Sequence, residues 1–326
     1  MTRRRRRSAL RAPVRGVLAL LLAVVAAAPV GAQRLPFNSF DVEDGLPSTQ
    51  IWALRQDSRG LLWVGTSWGL ARHDGGGFVG LGLAEGLPSL TVRAILEDAT
   101  GALWFGTGTG LATYDGRRIL ARRDEGAPRS TVWAAVRDAH ETLWFGTQDG
   151  LFAWRDGAFR RFGVADGLPG EYVYALLVAS DGALWVGTRG DGLARCEIAA
   201  PAQLKSCRAF DAADGFAPRI VRALAEDGRG RIVAGARDGG LLSFDGERWR
   251  SPQPGSVRQD EDIYALLVRR NGSLVVGTAD AGLLLCVDAI SGICRRVTEV
   301  NGLPDDGIRH LAEDREGALW VGTEGG

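Results

Sequence analysis

Leu103-Trp104-Phe105-Gly106-Thr107 is the stretch on which the reading of this chain turns, because the sequence writes it repeatedly at a near-constant interval. It stands also as Leu62-Trp63-Val64-Gly65-Thr66, Leu143-Trp144-Phe145-Gly146-Thr147, Leu184-Trp185-Val186-Gly187-Thr188 and Leu319-Trp320-Val321-Gly322-Thr323. Two copies have lost the Trp: Ile232-Val233-Ala234-Gly235-Ala236 and Leu274-Val275-Val276-Gly277-Thr278. From glycine to glycine the spacings are 41, 40, 41, 48, 42 and 45 residues. Self-similarity at such a period marks one supersecondary unit stacked on copies of itself.

Working outward from the motif, the second repeat predicts four short strands: Thr91–Leu96, Ala102–Thr107, Leu111–Tyr114 and Arg117–Ala121. Asp98-Ala99-Thr100-Gly101 and Asp115-Gly116 are turn sequences between them, so the unit reads as a hairpin-rich meander. A four-stranded sheet cannot cover both of its faces alone. Arranged radially, each sheet covers the next, with the repeated Trp supplying contact area and the small Gly-Thr allowing close approach. A β-sandwich gives no reason for seven copies, and β-helix turns are much shorter than this period. The expectation is an all-β β-propeller of about seven four-stranded blades over residues 33–326. Phe37–Asp41 reads as a lone fourth strand ahead of the first repeat. The seventh copy stops after its second strand, so the last blade is expected to be incomplete and the chain to be the front of a longer protein.

The composition fits this reading. Hydrophobic residues make up 45% and charged residues 24%, which suits a globular chain, and the 46 glycines follow no Gly-X-Y period. The zero net charge is uneven along the chain. Residues 1–32 carry seven Arg and no acid, then the apolar run Val17–Ala28 and the small-residue sequence Val30-Gly31-Ala32. That is the pattern of a secretory signal peptide cut after Ala32, and the run is short for a membrane span. An uncleaved anchor is the alternative. Without the leader the chain is mildly acidic, which disfavours nucleic acid as a partner.

Gly86-Leu87-Pro88, an inner strand, Glu97-Asp98, then Leu103 to Thr107 and Gly110-Leu111 together resemble the two-component regulator propeller repeat. Gly45-Leu46-Pro47, Gly167-Leu168-Pro169 and Gly302-Leu303-Pro304 fit the same pattern. Gly126-Ala127-Pro128 and Gly215-Phe216-Ala217-Pro218 depart from it. The resemblance implies the periplasmic sensing part of a membrane-bound receptor, with a histidine kinase or diguanylate cyclase output not contained in these 326 residues. It implies a small-molecule or oligosaccharide ligand, and a homodimer is compatible with such a receptor.

Aligning the repeats gives one position at the start of each first strand, occupied by Trp52, Arg93, Trp133, Tyr174, Arg222, Tyr264 and Arg309. The connections between second and third strands add Trp68, Arg189 and Arg237 on the same face. Aromatic faces stack on sugar rings, and arginine forks hold carboxylate or sulfate oxygens. These ten residues are the expected site for a carbohydrate or small anion at the channel mouth. The bland alternative is that they pack between blades. A secreted carbohydrate-active enzyme and a passive adhesion propeller are the competing functions.

The acids of Glu97-Asp98, Glu226-Asp227 and Glu313-Asp314 recur before a turn, which assigns them a structural part. His73, His140 and His310 fall in different phases of the repeat, so no metal or other cofactor is expected, and no nucleophile elbow or phosphate loop is written. Four cysteines allow three pairings. Cys196 with Cys207 and Cys286 with Cys294 are expected, since each pair flanks one hairpin in an exported chain.

Overall fold

Each repeat folds as an antiparallel meander in the computed structural model, which describes residues 35–253, 255 and 257–325. The signal-peptide reading of residues 1–32 lies outside the described residues. Blade 1 runs Ile51–Gln56, Leu62–Thr66, Gly69–His73 and Phe78–Leu81, from the axis outward. Blade 2 runs Val92–Glu97, Leu103–Thr107, Gly110–Tyr114 and Ile119–Ala121. Blades 3 to 6 repeat the order with inner strands Val132–Arg137, Val173–Val178, Ile220–Glu226 and Ile263–Val268.

Six four-stranded blades are therefore present among the described residues, not the seven that the repeat count suggests. The seventh repeat contributes a two-stranded sheet, Ile308–Glu313 and Leu319–Thr323. Its inner strand lies between those of blade 6 and blade 1 and completes the circle around the axis. Phe37–Asp41 forms no strand, contrary to expectation. It packs through side chains instead, with Phe37 among Leu303, Leu319 and Val321 and Phe40 stacked on Trp320 at 5.9 Å. Phe37, Phe40, Leu319 and Val321 also line one apolar groove at this contact.

The motif glycine explains itself at the junction between blades. A Cβ on Gly106 would stand 2.8 Å from Val132 Cγ1, the first inner-strand residue of the next blade. The same conflict recurs around the circle, from Gly65 against Val92 to Gly277 against Ile308, and closes with Gly322 against Ile51 at 2.6 Å. Only glycine admits this approach. The motif Trp covers the same junction. Trp63 is fully buried against Leu87, Val92, Ile95 and Phe105 of blade 2, and Trp104 lies 5.6 Å from Phe145 of blade 3.

The acids before the turn hold that Trp in place. Asp57 accepts from Trp63 Nε1 at 3.0 Å and from the N–H groups of Arg59 and Leu61. Asp98, Asp138 and Asp314 do the same for Trp104, Trp144 and Trp320. Burial opposes ionisation of Asp57 and Asp98, but these donors outweigh it and hold both carboxyls below the usual value. In blade 5, where the Trp becomes Val233, Arg231 takes its place on Asp227. In blade 4 the Asp becomes Ala179, and Trp185 Nε1 is buried without an acceptor. The preceding glutamates reach across blades: Glu97 accepts from Ser58 N, Glu226 from Ser180 and Glu313 from Arg270 N.

Both disulfides form as expected. Cys196–Cys207 and Cys286–Cys294 each join directly paired residues of a third-to-fourth-strand hairpin. Among the described residues no helix is long and apolar enough to cross a membrane.

Candidate functional site

The inner strands carry an irregularity at one place. In blade 1, Ile51 pairs with Thr66 and Ala53 with Gly65, which leaves Trp52 as an extra residue opposite no partner. Such a bulge turns a side chain away from the strand's ordinary alternation. The same shift leaves Arg93, Trp133, Tyr174, Arg222, Tyr264 and Arg309 unpaired in the other six inner strands. All seven side chains turn into the central channel, where they line a cavity of about 260 Å³. They do not enter the cores between blades.

The seven side chains touch one another in a closed ring. The Arg93 guanidinium lies 4.1 Å from the Trp52 ring and 4.2 Å from the Trp133 ring. Trp133 meets Tyr174 edge to face at 4.8 Å. Arg222 lies 5.1 Å from Tyr174 and 4.2 Å from Tyr264. Arg309 lies 4.1 Å from Tyr264 and 5.7 Å from Trp52. Stacking uses the face of a guanidinium and leaves its in-plane N–H groups free to donate.

The charge in the channel is one-sided. Arg93, Arg222 and Arg309 are its charged lining residues, and among the described residues no carboxylate lines it. Arg309 is ion-paired with Glu324. Nε of Arg222 and of Arg309, and Nε1 of Trp52 and Trp133, are buried without hydrogen-bond partners. Burial lowers the Arg93 pKa, partly offset by Tyr172 and Tyr174, and burial raises that of Tyr174. Desolvated donors without acceptors are costly, and an anion relieves that cost.

The three remaining candidates lie elsewhere. Arg189 stacks 5.2 Å from Tyr172, beside the ring rather than in it. Trp68 is 67% exposed in its connection and Arg237 pairs with Asp262 at 3.5 Å; neither lines the channel. Sequence alignment missed Tyr172, which extends the aromatic wall 5.0 Å from Tyr174. The alternation Tyr172-Val173-Tyr174 was the available signal. Among the described residues no group of His, Cys, Asp or Glu is arranged to hold a metal ion.

The sequence pattern described as the two component regulator propeller matches residues 45–68, 86–109, 167–190 and 302–325. The chain carries two component regulator propeller repeats. Each matched stretch runs from a Gly-Leu-Pro turn through an inner strand and the Gly-Thr motif. No curated relative matches the chain in sequence. In structure it is similar to the extracellular domain of BT3049, described as a hybrid two component system of B. thetaiotaomicron, with TM-score 0.72 and 21% identity over 87% of this chain. The extracellular domain of BT4673 from the same organism is similar at TM-score 0.71 and 23% identity over 86% of this chain. The chain spans 39% and 38% of those two relatives. Virginiamycin B lyase from Staphylococcus aureus shares the fold at TM-score 0.64 and 13% identity, over 85% of this chain and 92% of the lyase.

Proposed function

We propose that this two component regulator propeller is the exported, periplasmic sensing region of a membrane-bound receptor, and that it binds a small anionic ligand, of the acidic-sugar class, at the channel ring. The observation that carries the reading is the ring itself: Arg93 and Arg222 are held between aromatic faces, in a channel whose lining contains no carboxylate among the described residues. Aromatic faces suit a sugar ring, and free guanidinium edges suit its acid group. The two extracellular domains of similar fold and the pair of disulfides support an exported sensor. The anchor, a kinase or cyclase output and a homodimer would then belong to the whole receptor, and ligand binding would act by shifting its population of states.

Calorimetric titration of the propeller with trigalacturonate and with neutral galactotriose tests the proposal. The acidic sugar is expected to bind and the neutral one to bind at least about tenfold more weakly. Arg93→Gln and Arg222→Gln are each expected to weaken the acidic sugar by a similar factor. Equal binding of both sugars, or no effect of either substitution, overturns the proposal.

A second reading is a carbohydrate-active enzyme; the lyase of similar fold acts on another kind of molecule and supports only that a propeller of this kind can carry catalysis. Cleavage of trigalacturonate by the purified chain, abolished by a single channel substitution, would establish that instead.

A further inference from the structure

The mouth of the channel is not the same all round. Two residues before the ring position stand Gln50, Thr91, Thr131, Ile220, Asp262 and Gly307, and in blade 4 alone the residue there is aromatic, Tyr172. The first residue after each Gly-Thr motif lies beside that position. The backbone N–H of Arg189 donates to the Tyr172 carbonyl at 2.9 Å, as those of Ser67 and Gly108 do to Gln50 and Thr91.

The Tyr172 ring continues the channel wall. Its centre is 5.0 Å from that of Tyr174 and 5.8 Å from that of Trp133, both of which line the channel. Its phenol also lies near enough to Arg93, two blades away, to act on its charge. The Arg189 guanidinium lies 5.2 Å from Tyr172 and 5.9 Å from Tyr174, so it covers the same pair of rings. Arg222 reaches Tyr174 at 5.1 Å, which places two guanidiniums around one stacking face. The acids near Arg189 are engaged elsewhere: Glu171 pairs with Arg161 at 2.7 Å, and Asp191 turns to Arg219 at 4.0 Å. Arg189 makes no ion pair among the described residues, whereas Arg237, at the same position of blade 5, pairs with Asp262. An exposed guanidinium stacked on a phenol keeps its in-plane donors available to an anion.

We propose that Tyr172 and Arg189 form a second subsite, which carries the ligand out of the channel over blade 4 and selects a chain of acidic sugars over a single one. The proposal rests on the anion-binding reading of the ring and adds a direction and a length to it. A first acidic unit sits at Arg93 and Arg222 inside the ring. The next unit stacks on Tyr172, with its acid group on the Arg189 fork. The six other sheets carry no aromatic residue at that position, so stacking favours this one exit.

Calorimetric titration with galacturonate and with trigalacturonate tests the subsite. Wild type is expected to bind the trimer at least about tenfold more tightly than the single sugar. Arg189→Gln and Tyr172→Ala are each expected to weaken the trimer until that ratio falls to about threefold or less. Arg189 is exposed, so its replacement is expected to leave the fold intact, which the unfolding midpoint checks. Arg93→Gln, inside the ring, is expected to weaken both sugars by a similar factor and to keep the ratio. Equal binding of the two sugars by wild type, or a wild-type ratio in both Arg189→Gln and Tyr172→Ala, overturns the subsite. The ring reading stands in that case if Arg93→Gln still weakens binding. Failure of both sugars to bind removes both.

Discussion

The backbone N–H of Arg315 donates to Oε1 of Gln56 at 2.8 Å, although the two residues stand 259 positions apart. Gln56 occupies the position of Glu97, Glu226 and Glu313, which accept from the turn of the preceding sheet. The contact therefore joins the two-stranded seventh sheet to blade 1 by the device used between complete blades.

Gln56→Ala is expected to lower stability by about 0.5–1.5 kcal/mol, the worth of one partly exposed hydrogen bond. Hydrogen exchange is expected to quicken first at Leu319–Thr323 and not in blade 3. Uniform loss of protection over all sheets would contradict this.

Gly106→Ala places a methyl 2.8 Å from Val132 Cγ1 and 3.0 Å from Ala94 Cβ. Overpacking of this kind costs about 1–3 kcal/mol, read as a lower Tm. Adding Val132→Ala is expected to return part of the loss. A double-mutant cycle with no coupling would dismiss the junction argument.

Ala179→Asp gives Trp185 Nε1 the acceptor that Asp57, Asp98 and Asp138 supply to their tryptophans. The expected gain is about 1 kcal/mol in denaturant unfolding, one hydrogen bond to a charged group less the cost of burying it. Trp185→Phe in the same background should cancel the gain.

Two acid-sensitive windows are expected in stability. His310 has its folded pKa lowered from 6.5 to about 4, so the unfolded chain takes up a proton first and stability falls as pH drops through that interval. Asp57 and Asp98 have folded values below 3.8. Their contribution is complete above the unfolded value and is lost as pH falls further. Chemical denaturation across pH should show both, and His310→Ala should remove only the upper one.

The propeller was legible because its determinants are local and repeated. The glycine of Leu-Trp-Phe-Gly-Thr, the turn aspartates and the Asp-Gly hairpins each act within or next to their own unit. Cys196 and Cys207 could be paired because one hairpin carries both. The seven ring positions were legible by alignment, but their direction was not. A bulge is a property of two strands together, and nothing in Ile51-Trp52-Ala53 alone says that Trp52 loses its partner. Trp68 and Arg237 shared a face with the ring in the alignment, yet their connections hold them away from the axis. His310 was visible only as a histidine out of phase, at a position where the six complete blades carry alanine. Phe37–Asp41 had strand composition without a neighbouring strand, and composition cannot supply one.

The junction between blades has a consequence for how such a protein changes over time. Because each unit presents the same glycine to the same β-branched residue of its successor, a duplicated or deleted unit meets a surface already shaped for it. Gene duplication can then alter the number of units without inventing a new fit, while each substitution of that glycine is penalised separately. The fold is easy to lengthen and hard to vary at its seams, so divergence is channelled to the one bulged residue per unit, which has no ladder partner to match.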